Sequence, residues 1–408
     1  MNLLNDNFRL RHNAIDSYFS ITLRMEKTLM IVSISKFNSI FFGNKFDLPI
    51  RWDGKNFVDF LKKIYEEYVY SICSNNEDSC KLVTELEGCS LYDKCIIASN
   101  CDCENIKLIC SDILEVVNEY LCGFPAEAYK KFEKTMRILF KNPLKIYKKS
   151  GWSAAFDFDD PLHLFRVVNV SEDINHHRTR VFHTPFTLRS KVSTSRYSIA
   201  GFPSLYLGTC IDLCMEEIHN NPYSNYALCS RFELVRNIAQ TDIEIDVIEL
   251  GIKPQDFFTN IDKSNDYYDF INRRKIDIDL LKSKEVKKAY LFWYPLIAAC
   301  SFIRANKQDP FAPEYIIPQL LMQWIRKHYN GNRLMGIRYF SCSSERASDL
   351  GFNYVFPTSG KPCDSTPYCS VLSKSFKLTN PIFIHEFNDT NDCQKFLISD
   401  KDLKTILQ

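Results

Sequence analysis

Five residues of this chain have side chains that could hold a phosphate-bearing ligand and stabilise positive charge on a sugar carbon. They are Arg166, Arg196, Tyr206, Glu217 and Ser341. Arginine binds phosphate through charge-assisted hydrogen bonds, and a fixed carboxylate stabilises a developing cation. A tyrosine ring can pack on a planar group, and a serine hydroxyl can bind phosphate or ribose. Taken singly, none of these residues is specific for such chemistry.

Glu217 is the better candidate of two adjacent glutamates. Thr209-Cys-Ile-Asp212 has the spacing of a capping box and predicts a helix that begins there. In that helix Glu216 falls on the polar side, whereas Glu217 lies at the edge of the apolar stripe. A carboxylate at this edge can reach a cleft while partly desolvated. On spacing alone, two solvated glutamates are the alternative.

The two arginines have different predicted surroundings. Arg166 lies in the strand candidate 164–170, where a buried guanidinium needs an anion or a carboxylate partner. A structural salt bridge would satisfy it as well as a phosphate would. Arg196 precedes the turn residues Ala200 and Gly201 and is predicted to be free to reach into a cleft. Its alternative is an ordinary surface arginine.

Tyr206 and Ser341 each end a predicted strand, over 204–207 and 338–340 respectively. Tyr206 is either a core tyrosine or a ring that packs on a ligand. Ser341 either contributes its hydroxyl to a site or forms a simple turn.

The predicted fold is α+β in two parts. Residues 1–150 show helical spacing of apolar residues and predict an α-helical N-terminal domain. From Gly151 onward the segments shorten and strand-like runs alternate with turns, which predicts a mixed α/β domain over 151–408. Residues 255–289 are dense in Asp, Lys and Asn and are predicted to be an exposed insertion.

Composition excludes several classes of protein. With 51 basic against 50 acidic residues, no nucleic-acid partner is expected. No apolar run is long enough for a membrane span, and no secretory signal begins the chain, so we expect a cytoplasmic location with reduced cysteines. Eight cysteines between Cys73 and Cys122 contain no C-x2-C pair, so no metal site is expected. The glycine-rich nucleotide-binding motifs and the G-x-S-x-G hydrolase motif are absent from the sequence.

The segments that carry the five residues resemble the RES domain family, over most of residues 160–345. The family's arginines fall on Arg166 and Arg196, its glutamate on Glu217 and its serine on Ser341. Phe340 stands where the family usually has a proline. The resemblance implies a mixed-sheet fold similar to that of ADP-ribosyltransferase toxins.

The resemblance also implies cleavage of the nicotinamide–ribose bond of NAD, by water as a glycohydrolase or by inorganic phosphate as a phosphorylase. The implied catalytic residues are Glu217, Arg166, Tyr206 and Ser341. The implied substrate-binding residues are Arg196, Tyr197, Gln319 and His183, the last beginning a His-Thr-Pro-Phe segment that shapes the pocket wall. NAD is expected as substrate, with no separate cofactor and no metal.

The implied role is that of a toxin or anti-phage effector that depletes NAD and needs an antitoxin or a regulatory protein. Homo-oligomerisation is left open. The N-terminal part resembles helical HEPN-type modules more faintly, and it contains no histidine for their ribonuclease site over residues 50–150, so it is expected to serve regulation or assembly. Two alternatives are an ADP-ribosyltransferase acting on a macromolecule and a non-catalytic nucleotide-binding regulatory module. Phe340 favours the latter.

Overall fold

The structure is a computed structural model that describes residues 32–73, 95–97, 100–144, 163–170, 177–218, 226–235, 244–258, 281–328, 333–358, 362–363 and 366–406. The helices are α1 (Ile34–Phe41), α2 (Phe57–Cys73), α3 (Asn100–Leu121), α4 (Pro125–Leu139), α5 (Ile211–Ile218), α6 (Lys284–Cys300), α7 (Ile316–His328), α8 (Glu345–Leu350), α9 (Ser370–Ser375) and α10 (Thr390–Ser399). The strands are β1 (Val32–Ser33), β2 (Cys95–Ile97), β3 (Leu164–Val170), β4 (Ser204–Gly208), β5 (Tyr226–Leu234), β6 (Glu244–Leu250), β7 (Arg333–Tyr339), β8 (Asn353–Pro357), β9 (Pro362–Cys363), β10 (Thr366–Cys369), β11 (Phe376–Leu378), β12 (Ile382–Phe383) and β13 (Lys404–Thr405).

A nine-stranded mixed sheet organises the C-terminal part of the chain. Its order is β13-β11-β5-β3-β4-β8-β7-β6, and β12 also pairs with β5. Only β6 and β7 run parallel within this sheet, and the intervening chain supplies α6 and α7, as a parallel pair requires a long crossover. The predicted mixed α/β architecture is confirmed. The predicted strand over 164–170 has the observed bounds, and the one over 338–340 overlaps the last two residues of β7.

Helix α6 is the element on which the helical N-terminal residues pack. Fourteen of its 17 residues are buried, as expected for a helix that is apolar all round. Pro295 within it has no N–H, so the carbonyl of Leu291 lacks its helical donor. The Tyr68 hydroxyl donates to that carbonyl at 2.7 Å, and the Tyr65 hydroxyl donates to the Pro295 carbonyl at 2.6 Å. Two tyrosines of α2 therefore satisfy the backbone that the proline disturbs.

One hydrophobic core runs from these helices into the sheet. Phe132 of α4, Ile113 of α3, Tyr294 of α6 and Phe356 of β8 all belong to it and are buried. The helices predicted from apolar spacing in the N-terminal part are observed as α2, α3 and α4. The predicted boundary near residue 150 lies outside the described residues and stays a prediction.

The predicted exposed insertion is wrong at both of its described ends. Phe257 at one end, and Leu281 and Val286 at the other, are buried in the core. Charged residues there alternate with apolar ones, so the composition of the segment concealed its buried positions. Residues 259–280 lie outside the described residues.

Two further expectations concern membranes and cysteines. Across the described ranges, no helix has both the length and the hydropathy to cross a membrane. Cys103 and Cys110 of α3 are buried and pack as small apolar side chains. The side chains of Cys80, Cys89, Cys95 and Cys101 lie outside the described residues.

Candidate functional site

Strands β3, β4, β8 and β7, in the middle of the sheet, each begin or end on the same side of it. The register pairs Tyr339 of β7 with Asn353 of β8, Asn353 with Gly208 of β4, and Gly208 with Phe165 of β3. Arg166 on β3 and Ser341, two residues after the end of β7, therefore lie at the same end of the sheet, with β4 and β8 between them.

Gly208 lets α5 approach this edge closely. A Cβ atom at this position would lie 2.7 Å from the Cys214 sulfur of α5, which is too close for any side chain. The predicted helix after β4 is confirmed, but Thr209 does not act through the predicted capping box. Its hydroxyl instead accepts from the backbone N–H of Phe352 at 2.9 Å and joins the start of α5 to β8. Helix α5 begins two residues later, at Ile211.

Glu217 is held by one carboxylate oxygen. Its Oε1 accepts from the Ser341 hydroxyl at 2.6 Å and from the Asn353 side-chain N–H at 2.7 Å. Ser341 and Asn353 are buried, whereas Glu217 itself is exposed. Among the described residues none hydrogen-bonds Oε2, so this oxygen can face a ligand. The Oε1 of Glu216 lies 3.9 Å from the Nε of Arg346, so the two glutamates have different surroundings. Glu216 is half-buried and Glu217 is exposed, so the prediction that Glu217 is the partly desolvated one is wrong.

The hydrogen bonds of Ser341 fix the direction of its proton. A carboxylate only accepts, so Ser341 donates its single proton to Glu217. Its oxygen also accepts from the Ser343 N–H at 3.1 Å and contacts the Ser343 hydroxyl at 2.8 Å. The Ser343 hydroxyl must then be the donor of that contact. Ser341 thus orients the glutamate and is not arranged as a nucleophile.

Arg166 is half-buried and incompletely paired. Its Nη1 donates to the Tyr206 carbonyl at 3.3 Å, and its buried Nε has no partner. Burial lowers the pKa of this guanidinium to about 10. No carboxylate in the described ranges forms an ion pair with it, so the salt-bridge alternative finds no support there. An oxyanion would relieve this arrangement.

Tyr206 lies next to Arg166 with its hydroxyl fixed. Its Oη contacts the hydroxyl oxygens of Ser195 at 2.7 Å and of Ser198 at 2.9 Å. Burial raises the pKa of Tyr206, so the phenol stays protonated. Burial first, and then the nearby Glu217 and Tyr206, raise the pKa of Tyr339 well above its ordinary value.

Arg196 is not available to a cleft, and that prediction is wrong. Its Nη1 donates to the Cys300 carbonyl at 3.1 Å, and its Nη2 donates to the Phe302 carbonyl at 2.7 Å. The guanidinium also lies over the ring of Tyr315, with Cζ 5.0 Å from the ring centre. These groups lie at the end of α6, about a hundred residues away in sequence. Arg196 therefore anchors its loop to the end of α6.

Tyr197 is likewise a core residue and not a substrate-binding one. Its ring is buried and packs against Tyr339, with the centroids 4.7 Å apart.

His183 is buried, with both ring nitrogens occupied. Its Nε2 accepts from the Cys369 N–H at 2.9 Å, so Nδ1 carries the proton and donates to the Thr184 carbonyl at 2.8 Å. Burial lowers its pKa from the ordinary 6.5 to about 4. The prediction that His183 binds substrate is wrong, because no nitrogen remains for a ligand.

His183 should make the protein less stable in acid. Its folded pKa is depressed, so between pH 6.5 and 4 the unfolded chain binds a proton that the folded one does not. This contribution is complete above pH 6.5 and falls by about 3 kcal/mol toward pH 4. Urea unfolding at several pH values should show a shallower acid loss for His183→Gln than for the wild type. Identical pH slopes in both proteins would contradict this assignment.

Gln319 of α7 supports the loop that holds Tyr206. Its Nε2 donates to Thr194 Oγ1 at 2.8 Å and to the Ser195 carbonyl at 3.0 Å. It also lines a cavity of about 220 Å³ together with Tyr120, Thr194, Phe311 and Tyr315. Glu217 and Arg166 do not line this cavity. Gln319 therefore lines a cavity that contains neither Glu217 nor Arg166, and its predicted role in substrate binding stays a prediction.

Sequence reasoning missed Asn353, which contacts Glu217 as directly as Ser341 does. The available signal was weak: a single asparagine begins the apolar strand that follows Gly351. Ser195 and Ser198, which fix the Tyr206 hydroxyl, were also missed, although they flank Arg196 and Tyr197.

Comparison with known proteins gives one informative match. The chain is 28% identical over 366 residues to a protein of Bacillus subtilis (strain 168) named "Putative toxin YopC", covering 88% of this chain and 73% of that protein. No protein-family model matches the chain. No solved structure matches it either.

Proposed function

We propose that this protein cleaves the nicotinamide–ribose bond of NAD and acts as a toxin by depleting it. The observation that carries the proposal is the Glu217 carboxylate, which two buried donors hold by one oxygen while the other stays open. Support for the toxin role comes from the relative, whose name describes a toxin.

The proposed chemistry needs little from a general acid. As the C1′–N bond breaks, its electron pair passes to the nicotinamide nitrogen, and nicotinamide leaves neutral. Positive charge then develops on the ribose, where the open oxygen of Glu217 stabilises it. Water adds to C1′ and releases a proton, or inorganic phosphate adds in its place. The half-buried Arg166 would bind the pyrophosphate or the attacking phosphate.

Tyr206 has a positioning role in this proposal. Its protonated hydroxyl is occupied by Ser195 and Ser198, so its ring and not its proton faces the ligand. Ser341 also has a positioning role, because its hydrogen bond orients Glu217.

Product analysis tests the proposal. Purified protein is incubated with NAD, with and without inorganic phosphate, and the products are identified by mass spectrometry. Nicotinamide with ADP-ribose is expected for hydrolysis, and nicotinamide with phosphorylated ADP-ribose for phosphorolysis. Label from NAD on a macromolecule would favour a transferase. Intact NAD bound by folded protein would favour a non-catalytic nucleotide-binding module.

Asn353→Ala should lower kcat for NAD cleavage by about ten- to a hundredfold with little change in KM. A hydrogen bond to a charged group contributes about 1.5–3 kcal/mol, and this one fixes the carboxylate. Asn169→Ala is the matched control, because Asn169 donates to the Ile218 carbonyl at the end of the same helix without contacting Glu217. Equal losses in the two variants, measured by nicotinamide release, would show a general effect on α5.

A further inference from the structure

Arg326 of α7 is a cation with no polar partner. It is half-buried, and within the part of the chain that the structure describes it makes no hydrogen bond or ion pair. Its Cζ lies 3.4 Å from the ring centre of Phe202. Its guanidinium therefore stacks on an aromatic face, while its N–H donors stay open to solvent and to an oxyanion.

A second arginine adds to the positive charge at this position. Arg189 lies 5.5 Å from the centre of the same Phe202 ring and 4.6 Å from that of Phe186. Burial first, and then the charge of Arg189, lower the pKa of Arg326 to about 10. An oxyanion bound by Arg326 would stabilise the charged form of its guanidinium.

The cavity lined by Gln319 lies on the same face of α7. Gln319 and Arg326 are two helical turns apart, which places them about 10 Å from each other along the helix axis. Both contact the 184–202 segment, since Gln319 bonds Thr194 and Arg326 covers Phe202. Ile199 and Ala200 line the cavity and precede Phe202 by three and two residues in the chain.

The cavity is suited to a planar ring. Tyr120, Phe311 and Tyr315 supply aromatic surface, and Phe311 is 50% exposed. The Gln319 amide nitrogen is used within the protein, whereas its oxygen has no partner among the described residues and can accept from a ring N–H. A volume of about 220 Å³ accommodates one base.

We propose that this face of α7 binds a nucleotide, with its base in the cavity at Gln319 and its phosphates on Arg326. A nucleoside diphosphate is long enough to reach both positions. This site is distinct from the one proposed for NAD cleavage, because it does not include Glu217, Ser341 or Arg166.

Calorimetric titration of the full chain with ADP tests this site. Arg326→Gln should raise the Kd for ADP at least tenfold, and Glu217→Gln should leave it unchanged. Lys327→Gln is the matched control, because Lys327 is the adjacent exposed cation and is already paired with Glu133. Ala200→Trp should weaken ADP binding by filling the cavity mouth but spare the binding of inorganic pyrophosphate.

Three outcomes would overturn the proposal. Unchanged ADP affinity in Arg326→Gln would exclude the phosphate position. Equal weakening in Lys327→Gln would indicate non-specific attraction. If Arg166→Gln lost ADP binding while Arg326→Gln still bound ADP, the ADP would lie at the Glu217 site. Thermal melting checks that each variant is folded, and Arg326→Lys should retain part of the affinity. None of these outcomes depends on whether NAD is cleaved.

Discussion

Glu217→Gln should lower the rate of NAD cleavage by about a hundred- to a thousandfold, the range expected when one oriented electrostatic stabiliser of about 3–4 kcal/mol is removed. Glutamine keeps the size of the side chain, and its amide oxygen can still accept from Ser341 and Asn353. The variant should therefore stay folded while losing the negative charge that faces the ribose. Initial rates of nicotinamide release at saturating NAD measure the effect on kcat.

Glu216→Gln is the matched control for this experiment. Glu216 is the preceding residue of the same helix, and its carboxylate lies near the exposed Arg346 instead of Ser341. We expect its variant to keep wild-type activity. Equal activity of the Glu217→Gln protein and the wild type would remove this carboxylate from the mechanism, and a large loss in Glu216→Gln would show that the wrong glutamate was chosen.

Glu249→Ala should lower the free energy of unfolding by about 3–5 kcal/mol, because it removes the carboxylate that pairs with the buried charge of Arg338. Arg338 and Glu249 face each other across the parallel pair of β7 and β6, and both are almost fully buried. Glu249 Oε1 also accepts from the Gly251 N–H at 2.6 Å, so the same change removes a second bond. Denaturant unfolding measures the loss.

Two comparisons make this stability prediction specific. Glu345→Gln breaks the exposed ion pair with Arg51 and should cost less than about 1 kcal/mol. The double variant Arg338→Met/Glu249→Leu should recover much of the stability, because apolar residues of similar volume avoid the cost of burying charge. A loss as small for Glu249→Ala as for Glu345→Gln would contradict the inferred burial of the pair.

Local patterns in the sequence predict the regular elements, and together with the resemblance they indicate Glu217 and Ser341 as part of the site. Apolar spacing predicts α2, α3 and α4, and the spacing of Thr209 and Asp212 after β4 predicts α5 with Glu217 at the edge of its apolar stripe. The position of Ser341 after a strand favours a turn role by itself; the resemblance implies its place in the site, and the structure brings it to Glu217. These features depend on local patterns that a single chain displays.

Other features could not be read locally because distant segments decide them. Arg196 precedes turn residues, which suggested a free side chain, yet carbonyls at the end of α6 bind it. His183 and Tyr197 were placed in the site by resemblance, whereas Cys369 and Tyr339 hold them in the core. Asn353 has no periodic signal, so only the register of β8 with β4 and β7 reveals its contact with Glu217.

The concentration of NAD in cells that express the protein tests the central proposal most directly. NAD should fall after induction of the wild type and stay at the uninduced level after induction of Glu217→Gln, with both proteins soluble at equal amounts. The Glu216→Gln protein should deplete NAD like the wild type. Unchanged NAD in cells that contain soluble wild-type protein would contradict the proposed activity.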